Sequence, residues 1–318
     1  MHVGVLTVPF GDLPRDEAFE YLAGLGVDAV ELGCGGHPGQ DHCDRERLLN
    51  DGDARATLRA DLERHDLTVS ALATHNNPLH PVRGDEDAAE LRGAIDLAAE
   101  LDVGTVTCFS GLPAGRPGDE TPNWITAPWP DEHAEALRYQ WEEVAIPIWT
   151  ELAAYAAERD VAVAIEPHPN MLVHEPTGLL RLRAATGDAV GANFDPSHLY
   201  WQGIDVPTAI RELGDAIHHV HAKDTGIDER AVDRKGVLDT TSYREPAERS
   251  WQFRTVGYGH GEAHWREIVS ALRLAGYDGA LSIEHEDALT SVREGVERAV
   301  DTLSNAVFET RPDEVFWA

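Results

Sequence analysis

Short apolar segments alternate with longer amphipathic segments along nearly the whole chain of 318 residues. The longer segments carry apolar residues at three- and four-residue spacing, which predicts helices, whereas the short ones predict buried strands. The pattern contains eight strands, each followed by a helix, which is the composition of a (β/α)8 barrel. That fold typically takes about 250 residues. The predicted strands cover residues 3–8, 28–32, 67–73, 104–109, 161–166, 190–194, 216–222 and 279–284.

The competing architecture is a doubly wound open sheet, but no GxGxxG motif follows the first strand. We therefore predict an α/β protein with a single (β/α)8 TIM barrel domain over residues 1–318. The extra length lies in two insertions, one after the fourth strand (111–130) and one after the seventh (223–262). Because both follow strands, both are expected over the face where active sites of this fold form.

Acidic residues outnumber basic residues by 57 to 26, which gives a formal net charge of −31, and only Lys223 and Lys235 are lysines. The acidic residues are spread along the chain rather than collected in a tail that would bind a basic partner. This pattern resembles cytoplasmic proteins of extreme halophiles, in which concentrated salt screens self-repulsion. The same charge disfavours contact with the phosphate backbone of a nucleic acid.

The sequence predicts a cytoplasmic location. Its first residues, MHVGVLTVPFGD, contain no basic segment followed by an apolar one, as a signal peptide would. No apolar run approaches the roughly 18 residues of a membrane span. The three cysteines form no CxxC pair, which argues for a reducing compartment and against a disulfide framework.

Carboxylates and an imidazole mark the ends of the last four predicted strands. Glu166 ends the fifth strand, and Asp195 follows the sixth. His221 lies in the seventh strand, and Glu284 ends the eighth. In a barrel these four side chains converge on one face, where they would repel each other unless a cation lay among them. The mixed oxygen and nitrogen set predicts one divalent metal ion, with Mn²⁺ preferred and Mg²⁺, Co²⁺ and Zn²⁺ as alternatives.

The motifs AIEPHP, NFDPSHL, HVHAKD and SIEHED, in this order and spacing, resemble those of the xylose isomerase-like TIM barrel superfamily. That superfamily includes sugar isomerases and epimerases, inosose dehydratases and the endonuclease IV nucleases. The resemblance to its ketose 3-epimerase members implies that Glu166 and Glu284 exchange protons with the substrate carbon. It also implies that His198 contacts substrate oxygens. The four residues that would bind one divalent ion are Glu166, Asp195, His221 and Glu284.

The resemblance implies a metal-dependent sugar isomerase or epimerase that abstracts a proton next to a carbonyl, with the enediolate held on the metal. The predicted catalytic residues are Glu166, Glu284 and His198, and the expected substrate is a small sugar or glycoside. The epimerases carry an arginine six residues after the metal histidine, where this chain has Ile227. Arg254 or Lys223 is expected to replace that arginine.

The segments PNWITAPWP, DPSHLYWQGID, HAKDT and FRTVGYGH resemble, more narrowly, the metal-dependent subunit of C-glycoside deglycosidases and related 3-oxo-glycoside lyases. This resemblance implies β-elimination from a 3-oxo-glycoside as the alternative reaction. Trp124 and Trp129 would then either stack on a sugar ring or pack within their loop. The insertions and the terminal RPDEVFWA are candidate contacts with a second copy of the chain or a partner subunit.

Further polar residues after the predicted strands are candidate substrate contacts. His75 follows the third strand, and His168 follows the fifth. Asp224 is expected at the pocket rim, where it would orient the metal site. His260, in the second insertion, is an alternative acid to His198, because histidine titrates in the useful range.

A nuclease of the endonuclease IV type is the alternative from another class. Such nucleases use three metals and further His and Asp ligands on the third, fourth and seventh strands. Here Cys108, Phe109 and Ser110 end the fourth strand, so a histidine ligand is missing. A non-catalytic sugar sensor is a further alternative, which the complete carboxylate set disfavours. The sequence therefore predicts an enzyme that acts on a sugar rather than on nucleic acid.

Overall fold

The computed structural model describes residues 1–308, 310 and 317. Within these residues, eight parallel strands close into a barrel, and two further strands form an antiparallel pair outside it. The predicted (β/α)8 barrel is thus confirmed, and each predicted strand overlaps an observed one. The strands are β1 (His2–Leu6), β2 (Ala29–Gly36), β3 (Thr68–His75), β4 (Thr105–Phe109), β5 (Ala162–Glu166), β6 (Val190–Phe194), β7 (Ile217–Ala222), β8 (Asp224–Ile227), β9 (Trp251–Arg254) and β10 (Ala280–Ile283).

The barrel closes through β1, which pairs with β2 on one side and with β10 on the other. β10 also pairs with β7, so the first and last barrel strands are neighbours. All neighbouring barrel strands are parallel, so their carboxyl ends meet at one face. That face is where the residues predicted at strand ends are brought together.

Helices surround the barrel and bury apolar side chains against the strands. Trp149, Trp265 and Phe19 are among the largest fully buried side chains of this layer. Several helices begin at an acidic residue or a serine whose side chain accepts backbone N–H groups of the first turn, as Glu175 and Asp205 do. The helices are α1 (Arg15–Gly24), α2 (Arg45–Asn50), α3 (Gly52–Arg64), α4 (Gly84–Leu101), α5 (Asp131–Arg138), α6 (Ile146–Ala157), α7 (Pro176–Thr186), α8 (Ser197–Tyr200), α9 (Val206–Leu213), α10 (Glu229–Lys235), α11 (Glu262–Leu274) and α12 (Val292–Ser304).

The insertion after β7 forms secondary structure of its own. β8 pairs with β9 in a register that runs from Asp224 opposite Arg254 to Ile227 opposite Trp251. Trp251 stacks on Trp201 with ring centroids 4.8 Å apart, and these rings form a small apolar cluster with Phe253 outside the main core. The insertion is therefore held against the barrel by aromatic packing.

The first insertion presents its two tryptophans differently. Trp129 is 79% exposed, whereas Trp124 is half-buried and packs edge-on against His174. Apart from Trp317, the terminal RPDEVFWA lies outside the described residues. Among the described helices, none is both long enough and apolar enough to cross a lipid bilayer.

Candidate active site

The structure brings the four predicted metal ligands together at the carboxyl ends of β5, β6, β7 and β10. One ligand atom from each of the four lies within 4.8 Å of all the others. His221 Nδ1 is 3.1 Å from Glu166 Oε2 and 3.2 Å from Glu284 Oε2. Because each of these strands is buried up to its last residue, its apolar packing fixes where the polar residue at its end lies. We call this set the quartet: Glu166, Asp195, His221 and Glu284.

The donor atoms of the quartet fit a divalent cation. His221 Nδ1 and Asp195 Oδ2 are buried and, among the described residues, make no hydrogen bond of good geometry, although Glu166 Oε2 lies 3.1 Å from the first and His198 Nε2 lies 3.2 Å from the second. A buried polar atom left without a partner costs roughly 1–3 kcal/mol. Three carboxylates and one imidazole are also the ligands that Mn²⁺ and Mg²⁺ accept. A cation among these atoms would be bound by both His221 Nδ1 and Asp195 Oδ2, and it would offset the repulsion between the carboxylates.

The carboxylates of the quartet differ in their electrostatic environments. Burial alone would raise the pKa of Glu166, but hydrogen bonds from histidines, first of all His198, lower it well below its usual range. Burial raises the pKa of Asp195, although the nearby Lys223 opposes that shift. Glu166 is therefore ionised at neutral pH, which suits it to accept either a metal ion or a proton.

Lys223 is buried beside the quartet and is held by carboxylates. Its Nζ is 2.6 Å from Glu284 Oε2 and 2.9 Å from Glu286 Oε2, and it lies 4.5 Å from the centroid of the Phe253 ring. Burial alone would lower the pKa of Lys223, but the two glutamates raise it well above its usual range. Lys223 therefore carries its proton and fixes the position of Glu284.

A cavity of about 440 Å³ lies over the quartet. Pockets for small molecules typically measure roughly 300–1,000 Å³. Asp195 and His221 are 1% and 0% exposed and are not among the residues that line this cavity. Five of the predicted site residues do line it: His75, Glu166, His168, Lys223 and Glu284.

His168 separates His198 from the cavity. His198 is fully buried, with Nε2 at 2.9 Å from Glu166 Oε1 and 3.2 Å from Asp195 Oδ2. The ring of His168 lies against that of His198, with centroids 4.2 Å apart. Burial lowers the pKa of His168 to about 3, so its ring is neutral at neutral pH. Of the two histidines, His168 lines the cavity and His198 does not, and the substrate contact of His198 stays a prediction.

Asp224 lies beneath a loop instead of at the pocket rim, so its predicted position is wrong. It is fully buried and accepts backbone N–H groups from Gly257 at 3.1 Å and from His260 at 2.8 Å. It also accepts the indole N–H of Trp265 at 3.2 Å. His260 Nδ1 is 2.7 Å from the same carboxylate, and its ring stacks on Tyr200. Both residues therefore anchor the loop, and neither lines the cavity.

Arg254 is likewise placed away from the cavity, because it belongs to the β8–β9 pair. Its Nε donates to Asp287 Oδ2 at 3.1 Å, and the backbone N–H of Thr255 donates to the same oxygen at 2.8 Å. Arg254 is not among the residues that line the cavity, and its substrate contact stays a prediction. Lys223 is the only one of the two predicted arginine replacements that lines it.

Glu31, which no sequence motif indicated, is a fully buried carboxylate of β2 in the barrel interior. Its Oε2 is 3.0 Å from Nε2 of both His219 and His221. It also accepts the hydroxyls of Thr107 and Ser282, each at 2.7 Å. Glu31, His219 and His221 have ligand atoms close enough to hold a metal ion. Glu31 thus accepts four hydrogen-bond partners, two of which are the imidazoles of His219 and His221. A charged residue inside the predicted strand 28–32 was the available signal.

Comparison with known proteins identifies the family. The chain belongs to the xylose isomerase-like TIM barrel family, whose sequence pattern matches residues 19–304. It is 38% identical over 311 residues to YfiH, an uncharacterised protein of Bacillus subtilis strain 168. The aligned region covers 96% of this chain and 99% of YfiH. The predicted superfamily is thus confirmed.

Two solved structures illustrate the structural likeness. The probable 3-DHS dehydratase AsbF from Bacillus anthracis superposes with a TM-score of 0.67 at 15% identity, over 96% of this chain and 99% of that one. The 3-keto-D-glucoside 4-epimerase YcjR from E. coli superposes with a TM-score of 0.63 at 15% identity, over 96% of this chain and 98% of YcjR. At these identities the likeness shows the fold alone. The narrower resemblance to C-glycoside deglycosidases stays a prediction.

Proposed function

We propose that this protein is a divalent-metal-dependent sugar isomerase or epimerase that abstracts a proton next to a carbonyl. The observation that carries the proposal is the convergence of four ligand atoms, within 4.8 Å of one another, beside a cavity of small-molecule size. Membership of the xylose isomerase-like family supports an enzyme that acts on a small sugar. The likeness in fold to YcjR, a 3-keto-D-glucoside 4-epimerase, supports a carbonyl-bearing sugar as the substrate.

The metal ion would be held by Glu166, Asp195, His221 and Glu284. When bound there, a divalent ion polarises a substrate carbonyl as a Lewis acid and thereby acidifies the neighbouring C–H bond. We propose Mn²⁺, because the set offers three carboxylates and a single imidazole. Mg²⁺, Co²⁺ and Zn²⁺ are the alternatives.

Proton transfer is assigned to the two carboxylates that line the cavity, Glu166 and Glu284. Glu166 is ionised at neutral pH, as its lowered pKa requires, and it lines the cavity, so its carboxylate is placed to accept a proton from the substrate carbon. Lys223, at 2.6 Å from Glu284, holds the second carboxylate in place for returning a proton. His168 presents a neutral imidazole to the cavity, which suits it to hydrogen-bond a sugar hydroxyl.

Glu31→Gln is expected to weaken Mn²⁺ binding about 10- to 100-fold, the usual cost of losing a residue that orients a metal ligand. With a metal ion at Nδ1, His221 would carry its proton on Nε2 and donate it to the Glu31 carboxylate, which lies 3.0 Å away. A glutamine can donate to Nε2 instead, and the proton then moves to Nδ1. Titration calorimetry with Mn²⁺ measures the affinity, with exposed Glu46→Gln as the control. An unchanged affinity in folded Glu31→Gln protein contradicts the orienting role.

The proposed reaction is tested by NMR of products formed in D₂O by the Mn²⁺-loaded protein. Molar KCl should be present, because the net charge of −31 suits a protein that works in concentrated salt. Two substrate sets are required, free ketoses and inososes in one and 3-oxo-glucosides in the other. We expect deuterium to be incorporated at the carbon next to the carbonyl of a rearranged sugar.

Other products would change the assignment. Release of an aglycone together with an unsaturated or hydrated sugar would establish the 3-oxo-glycoside lyase instead of the isomerase. Both outcomes share proton abstraction by the same carboxylates and differ in whether a leaving group departs from the β-carbon. The proposal is rejected if no member of the two sets shows either deuterium exchange or release of an aglycone.

A further inference from the structure

A second cavity adjoins the one over the quartet. It measures about 620 Å³, compared with about 440 Å³ for the first. The two cavities share five lining residues, so they lie next to each other. A ligand whose reacting end lies over the quartet would have to pass these shared side chains to extend into the second cavity. The shared residues are His37, His75, Phe109, Asn170 and Met171.

The lining of the second cavity combines an aromatic side chain with polar groups, as sites for sugar rings do. Trp124 and the amides of Asn76 and Asn77 contribute to it. Asn76 Oδ1 and Trp124 Nε1 are both buried, and neither has a hydrogen-bond partner within the part of the chain that the structure describes. One is an acceptor and the other a donor. A sugar hydroxyl both donates and accepts, so it could pair with either atom once a shift of that side chain exposes the atom to the cavity.

The charges along the two cavities disfavour a phosphate group. Among the described residues, the lysine and arginine side chains that line them are Lys223 and Arg83. Lys223 is bound to Glu284, and Arg83 Nε lies 3.3 Å from Asp87 Oδ2. The carboxylate of Glu90 also lines the second cavity. A phosphate needs arginine or lysine donors that are not already paired, so an uncharged ligand fits this surface better.

We propose that the substrate is an uncharged glycoside, with the reacting sugar over the quartet and a second ring, joined as a substituent, in the second cavity. This inference rests on the proposed function, which assigns the reaction to the first cavity. Trp124 stacks on the second ring, and Asn76 accepts a hydrogen bond from it. The protein thereby selects glycosides over both free monosaccharides and sugar phosphates.

The test compares matched substrates that differ only in the second ring. One pair is D-fructose and isomaltulose, the same ketose with a glucosyl group at O6. The other is methyl and phenyl 3-oxo-β-D-glucopyranoside. We expect the wild-type protein to favour the ring-bearing member of at least one pair in kcat/KM, and fructose 6-phosphate not to compete. Trp124→Ala should lower kcat/KM for that member about five- to tenfold, with less than a twofold change for the smaller one.

The controls separate a lost ring contact from a disturbed loop. Trp129→Ala changes a tryptophan of the same insertion that is 79% exposed and lines neither cavity. This substitution should leave kcat/KM unchanged for both members of the pair. Trp124→Phe keeps an aromatic face and should recover most of the loss. A preference for the smaller members, or an equal effect of Trp124→Ala on both members, overturns the inference and leaves the proposed function standing.

Failure of the proposed function has a different signature. If no pair reacts, saturation-transfer NMR with phenyl β-D-glucopyranoside and D-glucose still reports on the second cavity. We then expect saturation of the phenyl protons by wild-type protein and its loss in Trp124→Ala. No saturation of the phenyl protons by wild-type protein, or equal saturation by both proteins, overturns the second-ring site itself.

Discussion

Glu166→Gln is expected to lower kcat about 10²- to 10⁴-fold, the range for removal of a positioned general base. Glu166 lines the cavity, and its Oε1 and Oε2 are contacted by His198 and His221 at 2.9 and 3.1 Å. Glutamine has nearly the same shape but cannot accept a proton at neutral pH. Steady-state kinetics on the substrate found by deuterium exchange gives kcat, and circular dichroism checks the fold.

The same substitution also removes one proposed metal ligand, so the two effects must be separated. Bound Mn²⁺ should be measured in each variant, and kcat compared at metal concentrations that saturate the variant. Glu267→Gln, on α11 with a side chain 70% exposed, is the matched control and should behave as wild type. Glu284→Gln is expected to match Glu166→Gln in its loss of turnover. Wild-type kcat in metal-saturated Glu166→Gln would remove Glu166 from the proton transfer.

Removal of the metal is expected to abolish turnover and to lower Tm by about 5 °C. A ligand present at 100 times its Kd stabilises the folded state by about 2.7 kcal/mol. In a chain of this size, each kcal/mol corresponds to roughly 2 °C. The physical reason is that the quartet holds three carboxylates and an unpartnered imidazole nitrogen in a buried space. Thermal unfolding after chelation and dialysis, with and without added Mn²⁺, measures the shift.

Asp195→Asn supplies the control for this experiment. Asp195 is 1% exposed and does not line the cavity, so the substitution alters the proposed metal site without altering the cavity wall. The variant should lose most of the Mn²⁺-dependent rise in Tm. Full turnover by the chelated wild-type protein, or a Tm that does not respond to any divalent ion, would contradict a metal at the quartet.

The barrel and the quartet could be predicted because their signals are local in sequence. The strands that carry Glu166 and Glu284 are apolar runs that stop at a polar residue, as VAVAI stops at Glu166. β7 differs, because His221 lies within the strand and was indicated by its position in HVHAKD. Parallel closure then brings such strand ends together without further information. The family resemblance added the order of the motifs, and the comparison with known proteins confirmed the family.

The roles that were missed depend on contacts that are distant in sequence. Glu31 binds Ser282 across 251 positions and Thr107 across 76, and no local pattern encodes either pairing. Asp224 directly follows Lys223, yet only Lys223 lines the cavity, because Asp224 begins β8 and accepts donors from a loop more than 30 residues further on. His198 lies on α8, whose one turn buries it under His168.

The position of Glu284 has a consequence for the order of events during folding. It follows β10, the last barrel strand, which is hydrogen-bonded to β1 on one side and β7 on the other. The other three ligands come from β5, β6 and β7, so a chain whose final strand has not yet docked offers an incomplete site. Metal binding at the proposed site would therefore require β10 to have paired with β7. A bound ion would then connect the last strand of the barrel to β5, β6 and β7, so metal binding would mark the molecules in which β10 has docked.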